Sequence, residues 1–441
     1  MPGPYTSVAT EGENDMPSRY AKKPVIALLA AALLLNAPIA LAAPLQLSLH
    51  DSIAAAVANN PALKMATADK DKAAYGVDEA KGGRWPSLSL GSTYSRQPGS
   101  DLAPASEGVS NSLRLNWQLY NGGRIEGLVD QAEQGLTSAA LGVAKAERQV
   151  RLDAATGYYG VLQNKNLVTV NEEAVRNLQA HLKTAQEKFD AGLVAKADVL
   201  RSQVELANAQ QNLIKSQNSY DLAVANLKNV MSIDPNSDIA LTDTMKYEKY
   251  DKSLDDSIAL AHEDRPEIAQ AQAAVNMAKS GVKVAESGKL PTLTFGASKG
   301  WSDLALPDNG GDWSVSLGAS WNLFDANVTN SKVRQADASL TKSQEQARQT
   351  IDGVDLEVRQ QYLSMQEAEK RLGTTDVAVN QAAEDLSIAR EKYNAGVGTN
   401  IDVIDAQLAL AQARTNYYQA LYDYNVNKAK LIKATGLKVG E

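Results

Sequence analysis

Two carboxylates three residues apart, Asp402 and Asp405, stand near the start of an amphipathic run, Thr399-Asn400-Ile401-Asp402-Val403-Ile404-Asp405. On a helix that spacing puts both on one face, and several copies around an axis would stack them as rings of negative charge that attract cations. The competing role is capping: an acidic residue in a first turn favours the helix dipole, and Thr399-x-x-Asp402 has the form of a capping box. Asp402 and Asp198, its counterpart 204 residues earlier, suit either role. Asp405 lies a turn further in, where capping explains less. Its counterpart is Arg201, and an exposed Asp405–Arg201 pair would be worth about 0–1 kcal/mol. Beside these acids lie Gly192-Leu193-Val194-Ala195 and Gly396-Val397-Gly398-Thr399. A left-handed helix stop accounts for the glycines but not for the apolar Leu193, Val194 and Val397, which read as a docking surface for a partner.

Little else carries chemistry. Cysteine is absent, which excludes disulfides, thiolate metal sites and a cysteine nucleophile. The three histidines, His50, His181 and His262, lack ligand spacing and read as solvated or half-buried. There is no phosphate-binding glycine loop and no serine elbow, so no enzyme, cofactor or metal is expected. A net charge of −8 and a pI near 5.2 leave no footprint for nucleic acid.

The elements that must position the acids are long. No proline falls between Pro104 and Pro235, or after Pro307, so nothing forces a helix to stop in either span. Ile125, Val129, Ala132, Leu136, Ala139, Val143, Ala146 and Val150 step alternately by four and three, a heptad that implies coiled-coil packing. The phase resumes at Val168, Val175, Leu182 and Phe189 after a gap of 18. That gap is two heptads plus four, a stutter near Gly157-Tyr158-Tyr159-Gly160, where the packing partner should change. A helix over 124–190 would be about 100 Å long.

The pattern recurs. Leu49-His50-Asp51-Ser52-Ile53-Ala54 matches Leu254-Asp255-Asp256-Ser257-Ile258-Ala259, and Pro61 matches Pro266, at an offset of 205. Trp117-Gln118-Leu119-Tyr120 matches Trp321-Asn322-Leu323-Phe324, and Lys188-Phe189-Asp190-Ala191-Gly192 matches Lys392-Tyr393-Asn394-Ala395-Gly396, at 204. Two repeats follow. The chain divides into 1–43, an extension and signal; 44–231, the first repeat, with a helix from Pro61, strands at about 87–95 and 110–120, a long helix 124–190 and a return helix 196–230; 232–253, a linker; 254–436, the second repeat, with strands at about 292–301 and 313–324, a long helix 328–394 and a return helix 400–435; and 437–441, a tail.

The four strand candidates alternate apolar with small or polar residues, as in Trp313, Val315, Leu317, Ala319, Trp321 against Ser314, Ser316, Gly318, Ser320. Such segments suit a membrane β-barrel facing lipid and water, with Trp117, Trp301, Trp313 and Trp321 at the membrane interfaces. Lys299 interrupts the apolar face and can snorkel to the headgroups. Four strands cannot close around a lumen, and an open edge in lipid is costly, so subunits must share one barrel. Arg19, Lys22 and Lys23 precede the apolar run 25–35 and the small residues 40–43, the order of a secretory signal peptide.

The repeated Asp-Ser-Ile-Ala openings, the Trp-x-Leu-[Tyr/Phe]-[Asn/Asp] strand ends and the Phe189-Asp190-Ala191-Gly192-Leu193 and Tyr393-Asn394-Ala395-Gly396-Val397 turns resemble the TolC family of outer-membrane efflux proteins over roughly Leu45 to Gly436. The resemblance implies an α+β membrane protein: a homotrimer whose twelve-stranded transmembrane β-barrel continues into a coiled-coil α-helical barrel in the periplasm. It implies tips that dock on a periplasmic adaptor and an inner-membrane transporter, hence a passive exit duct for small molecules. Protein cargo through a type I secretion system and a non-pore coiled-coil scaffold are the alternatives. Residues matching Asp402 and Asp405 ring the family's periplasmic constriction, and Asp198 and Tyr393 match the network that holds it closed. The family's usual arginine falls at Gly398, so the latch must differ here.

Overall fold

A computed structural model describes residues 45–99, 106–302 and 312–440. The expected signal segment and the tips of both loops joining the strands lie outside the described residues. In chain order the elements are β1 (Leu45–Leu47), α1 (Leu49–Asn59), α2 (Pro61–Gly82), β2 (Ser87–Gln97), β3 (Ser106–Tyr120), α3 (Arg124–Asp190), α4 (Lys196–Met231) and β4 (Ile239–Leu241). There follow α5 (Leu254–Asp264), α6 (Pro266–Glu286), β5 (Thr292–Trp301), β6 (Asp312–Ser320), α7 (Val328–Asn394) and α8 (Asn400–Ala434).

Each stretch before the strands holds two helices rather than one. Pro61 and Pro266 push the residue before them out of the helical region, and Asn60 (ψ 128°) and Arg265 (ψ 119°) are extended. The chain bends there, and α1 and α5 each begin with a Ser-x-x-Asp capping box, at Ser48 and Ser253.

The helices α3 and α7 have 67 residues each, about 100 Å at 1.5 Å per residue. The first part of α3 runs along α6, where Lys283 meets Asp130 at 3.2 Å and Lys145 meets Glu267 at 3.9 Å. By Gln163, whose Nε2 donates to Gln419 Oε1 at 2.6 Å, the partner is α8. The exchange brackets Gly157, which faces Leu227 of α4, so the stutter lies where the neighbour changes. Below it the single heptad falls short. Val175, Leu178, His181 and Ala185 are buried, while Val168, Leu182 and Phe189 are only partly so. A helix packed against both α4 and α8 buries two adjacent stripes, which one heptad cannot describe.

Around the exchange Tyr158, Leu162, Leu227, Met231 and Leu421 form the main core with Ile53 and Val439. The Tyr158 hydroxyl donates to Asp243 at 2.8 Å, which ties down the 232–253 linker. Residues 437–440 of the tail pack onto the body: Val439 is buried and Lys438 lies 3.5 Å from Glu147.

The sheet has the order β2-β3-β5-β6, antiparallel throughout. Its register lines up the faces: Leu88, Leu115, Ala297 and Val315 form one row, and Ser89, Arg114, Ser298 and Ser314 the next. The first hairpin is longer than the alternation implied, because polar residues extend the pairing to Gln97 and Ser106. Arg96, Tyr94 and Glu107 interact there. β6 is shorter and ends at Ser320, opposite Thr292, since β5 begins after Pro291 and offers nothing further to pair with. Trp321 is therefore outside the strand. No helix among the described residues is long and apolar enough to cross a membrane.

Candidate functional site

The Trp-x-Leu-x-[Asn/Asp] strand ends couple the sheet to the rods. The indole N–H of Trp117 donates to Arg84 O at 2.9 Å, and that of Trp321 to Lys289 O at 3.0 Å. Both tryptophans thereby hold the strand end to the helix–strand junction before it. The motif's last residue caps a long helix: Asn121 Oδ1 accepts from Ile125 N at 3.1 Å and Asp325 Oδ2 from Thr329 N at 2.7 Å. Trp313 and Trp301 lie at the other end of the sheet, Trp313 highly exposed.

At the opposite end of the rods, α3 and α7 stop on left-handed glycines, Gly192 (φ 74°) and Gly396 (φ 81°). Leu193 N donates to Lys188 O at 2.8 Å and Val397 N to Lys392 O at 3.0 Å, the pattern of a Schellman stop. In such a stop the apolar residue after the glycine usually packs back on the helix. Here Leu193 is 73% and Val397 78% exposed. Val194 is half-buried, so it contributes less to the exposed surface than its sequence suggests.

The acids differ in role. Thr399 and Asp402 form a complete capping box, with Thr399 N donating to Asp402 Oδ2 at 2.9 Å and Asp402 N to Thr399 Oγ1 at 3.3 Å. These Thr399 bonds hold the Asp402 carboxyl below the usual aspartate value. Asp405 is exposed and so is Arg201, and no ion pair joins them among the described residues. Both sit on outward positions of their helices in the single chain, beside the buried Ile404 and Ser202.

What the tips bring together is a buried polar network that sequence spacing did not reveal. Asn400 (4% exposed) accepts at Oδ1 from Ser202 Oγ at 3.1 Å and contacts His181 Nε2 at 2.6 Å. Its Nδ2 donates to Asp198 O at 3.1 Å. The His181 ring lies 5.0 Å from that of Tyr393, and Lys188 stands 4.2 Å over the Tyr393 ring and donates to its carbonyl. Four helices meet here: α3 through His181 and Lys188, α4 through Asp198 and Ser202, α7 through Tyr393 and α8 through Asn400. The Tyr393 hydroxyl is buried and has no hydrogen-bond partner among the described residues, and burial, then the Asp198 charge, push its pKa up. Among the described residues no cluster of three or more acidic or histidine side chains could hold a metal.

Gly398, where the resemblance places the family's arginine, is closely held. A Cβ there would come within 2.9 Å of Tyr393 N and 3.0 Å of Lys392 C. The turn has no room for a side chain in this conformation, and near the tip the hairpins are linked by His181 with Asn400, by Lys188 with the Tyr393 carbonyl and, further along, by Arg414 with Glu173.

The sequence profile of the family described as Outer membrane efflux protein matches residues 53–232 and again 257–437. Outer membrane protein TolC of Escherichia coli is 24% identical over 396 residues, covering 86% of this chain and 80% of that protein. Alkaline protease secretion protein AprF of Pseudomonas aeruginosa is 25% identical over 289 residues, 62% of this chain and 58% of the other. Among solved structures, CusC superposes with a TM-score of 0.78 at 19% identity, over 88% of this chain and 92% of that one. The outer membrane protein VceC of Vibrio cholerae gives 0.77 at 20% identity, over 88% and 96%. These two likenesses bear on the fold alone. With both long-helix stretches matched by the profile, over well more than half its length, the chain belongs to the outer membrane efflux protein family.

Proposed function

We propose that three copies of this chain form the exit duct of a tripartite export system, with their sheets closing one barrel in the outer membrane and their rods continuing it as a periplasmic tunnel. As a member of its family the chain is an outer-membrane export channel. The trimeric, closed-barrel reading rests on one observation: the sheet ends in unpaired edges at β2 and β6, and its apolar residues Leu88, Leu90, Val315 and Leu317 are exposed. In lipid each unpaired backbone group costs several kcal/mol, and even small membrane barrels use about eight strands. Three copies of a four-stranded sheet remove every edge. Ser89, Gly91, Thr294 and Ser316 then line a polar lumen. The test is isolation from outer-membrane fractions as a heat-modifiable trimer that conducts ions in planar bilayers. A folded monomer in detergent-free buffer overturns the reading.

The exposed Leu193 and Val397 are the docking points for a periplasmic adaptor, through which an inner-membrane transporter supplies the energy. Asp402 and Asp405, on one face of α8 and repeated three times, ring the periplasmic opening. Asp198, Tyr393 and Arg201 belong to the same constriction. Asp402→Ala combined with Asp405→Ala should reduce cation preference in bilayer recordings, and unchanged selectivity removes the ring. Small toxic molecules are the cargo in this reading. The similarity to the secretion protein AprF favours protein cargo as a second reading, and the transporter and adaptor genes beside this one distinguish the two.

A further inference from the structure

The polar network at the tips joins the two helical hairpins of one chain through residues that no capping, turn or seam rule accounts for. Asn400 is the keystone. Its Nδ2 faces the Asp198 carbonyl, which can only accept, so its Oδ1 faces His181. An amide oxygen there requires a proton on His181 Nε2, which makes the clasped ring a donor with Nε2–H even when neutral. Acid then adds the second proton at Nδ1 and a full charge to a ring that is only 7% exposed.

We propose that His181, Asn400 and Ser202 form a proton-sensitive clasp that pins the tip of α7 and α8 to that of α3 and α4, holding the periplasmic end shut until His181 is protonated. This rests on the channel reading above. The groups that face the ring are Lys188 from its own helix, Arg390 and Tyr393 from α7, and Asn400 from α8, while Ser202 and the Asp198 carbonyl of α4 hold Asn400. Burial pushes the His181 pKa below the ordinary histidine value; the Asn400 hydrogen bond opposes this, and Arg390 and Lys188 reinforce it. The sign follows. The clasped state binds the proton more weakly than an opened tip with the ring in water. The clasp is therefore fully present above the ordinary histidine pKa, and is lost progressively as pH falls below that value toward the depressed one.

The experiment records the full-length protein in planar bilayers between about pH 8 and pH 5, a window in which histidine titrates and ordinary carboxylates do not. Wild type should open as the pH falls, its open-to-shut ratio rising by at most about tenfold per pH unit for each clasp released. His181→Gln, which keeps an amide donor and cannot be protonated, should stay shut across the window. Asn400→Ala should be open at neutral pH and indifferent to acid. A wild type that conducts with no pH response, or a His181→Gln variant that opens like wild type, overturns the clasp and leaves the channel standing. A wild type that never conducts overturns the channel reading, and the clasp falls with it. A measurement free of variants is the imidazole titration by nuclear magnetic resonance, with only three histidines to resolve. His181 should titrate below the ordinary histidine value, and titration at that value also overturns the clasp.

Discussion

The turns at Gly192 and Gly396 share a backbone and differ in what surrounds them. Both are Schellman stops with an exposed apolar residue after the glycine. The second is fastened at three further points. α8 starts with a side-chain capping box whereas α4, with Ala195 at its N-cap, has no side-chain cap. Gly398 N adds a bond to Lys392 O at 3.0 Å, where the first turn has Val194. Asn400 is buried, and Lys196 at the same offset is exposed. What the hairpins share is the exposed apolar residue suited to a partner common to both; what they do not share is fixation. The second hairpin is built to be held against the first, which suits an element released as a unit.

The largest expected effect falls on the shared feature. Leu193→Asp or Val397→Asp places a charge in an apolar contact, and export of toxic compounds, read as drug susceptibility of the expressing cells, should be abolished. The yield of folded protein in outer-membrane fractions of the same cells should be unchanged. If one substitution is silent and the other is not, the tips dock unequally and the comparison sharpens; retained export in both removes the docking assignment.

Next is the clasped residue against its counterpart. Asn400→Ala leaves the buried His181 Nε2 without its partner, while Ser202 Oγ keeps the Asp198 carbonyl at 2.9 Å; the loss is about 1–3 kcal/mol, seen as faster amide exchange over the tip of α8. Lys196→Ala, at an exposed site, should change stability by no more than about 0.5 kcal/mol. Equal effects would mean that the two tips are fastened alike.

Much of this is legible in the residues alone. A heptad without proline locates both rods, and a four-residue insertion marks where α3 changes partner. Strict alternation identifies the strands and their faces, and Thr399-x-x-Asp402 announces its own cap. The clasp is not legible, for a specific reason. The stripe drawn through Val175 and Leu182 assigns one buried face, whereas α3 packs against two neighbours and also buries Leu178 and His181. A polar residue on a second, undrawn face looks solvated. Asn400 likewise looks like an ordinary first-turn residue until α4 is placed beside it. Trp321 misleads in the other direction: it continues the alternation of β6, but its strand partner has already ended at Thr292.

The third test concerns the close turn. Gly398→Val copies the first hairpin's residue into the second, where its Cβ would meet backbone of Lys392 and Tyr393 near 3 Å. Overpacking of that kind costs typically about 1–3 kcal/mol, and here the strain falls next to Tyr393. Thermal unfolding of the protein should shift down and the tip should exchange faster. The reverse change, Val194→Gly, removes no tight contact and should alter the first hairpin less.

The smallest effect, and the most direct way to erase the difference, is to exchange the caps. Ala195 already has the extended backbone of an N-cap (φ −80°, ψ 152°), and Asp198 stands three residues on. Ala195→Thr therefore writes Thr-x-x-Asp at the start of α4, the arrangement that Thr399 and Asp402 make at the start of α8. Asp198 N now donates to the Ala195 carbonyl at 3.0 Å, and the new hydroxyl would lie within reach of the same N–H. Removing such a cap costs about 0.5–2 kcal/mol, so Thr399→Ala should loosen α8 by that amount and Ala195→Thr should tighten α4 by no more. The Asp402 carboxyl has its pKa held down by Thr399, so its share of the α8 cap is present above the ordinary aspartate value and is lost as acid titrates through the depressed one. Amide exchange at the start of α8 should therefore rise in that acid range in wild type, and the start of α4 should acquire the same acid response only in the Ala195→Thr variant. If α4 gains stability without gaining the acid response, the hydroxyl caps alone and the Asp198 carboxyl takes no part. That outcome would show that a matching Thr-x-x-Asp spacing reproduces the hydroxyl half of the α8 cap without its reciprocal acid, and that the two tips still differ in fixation.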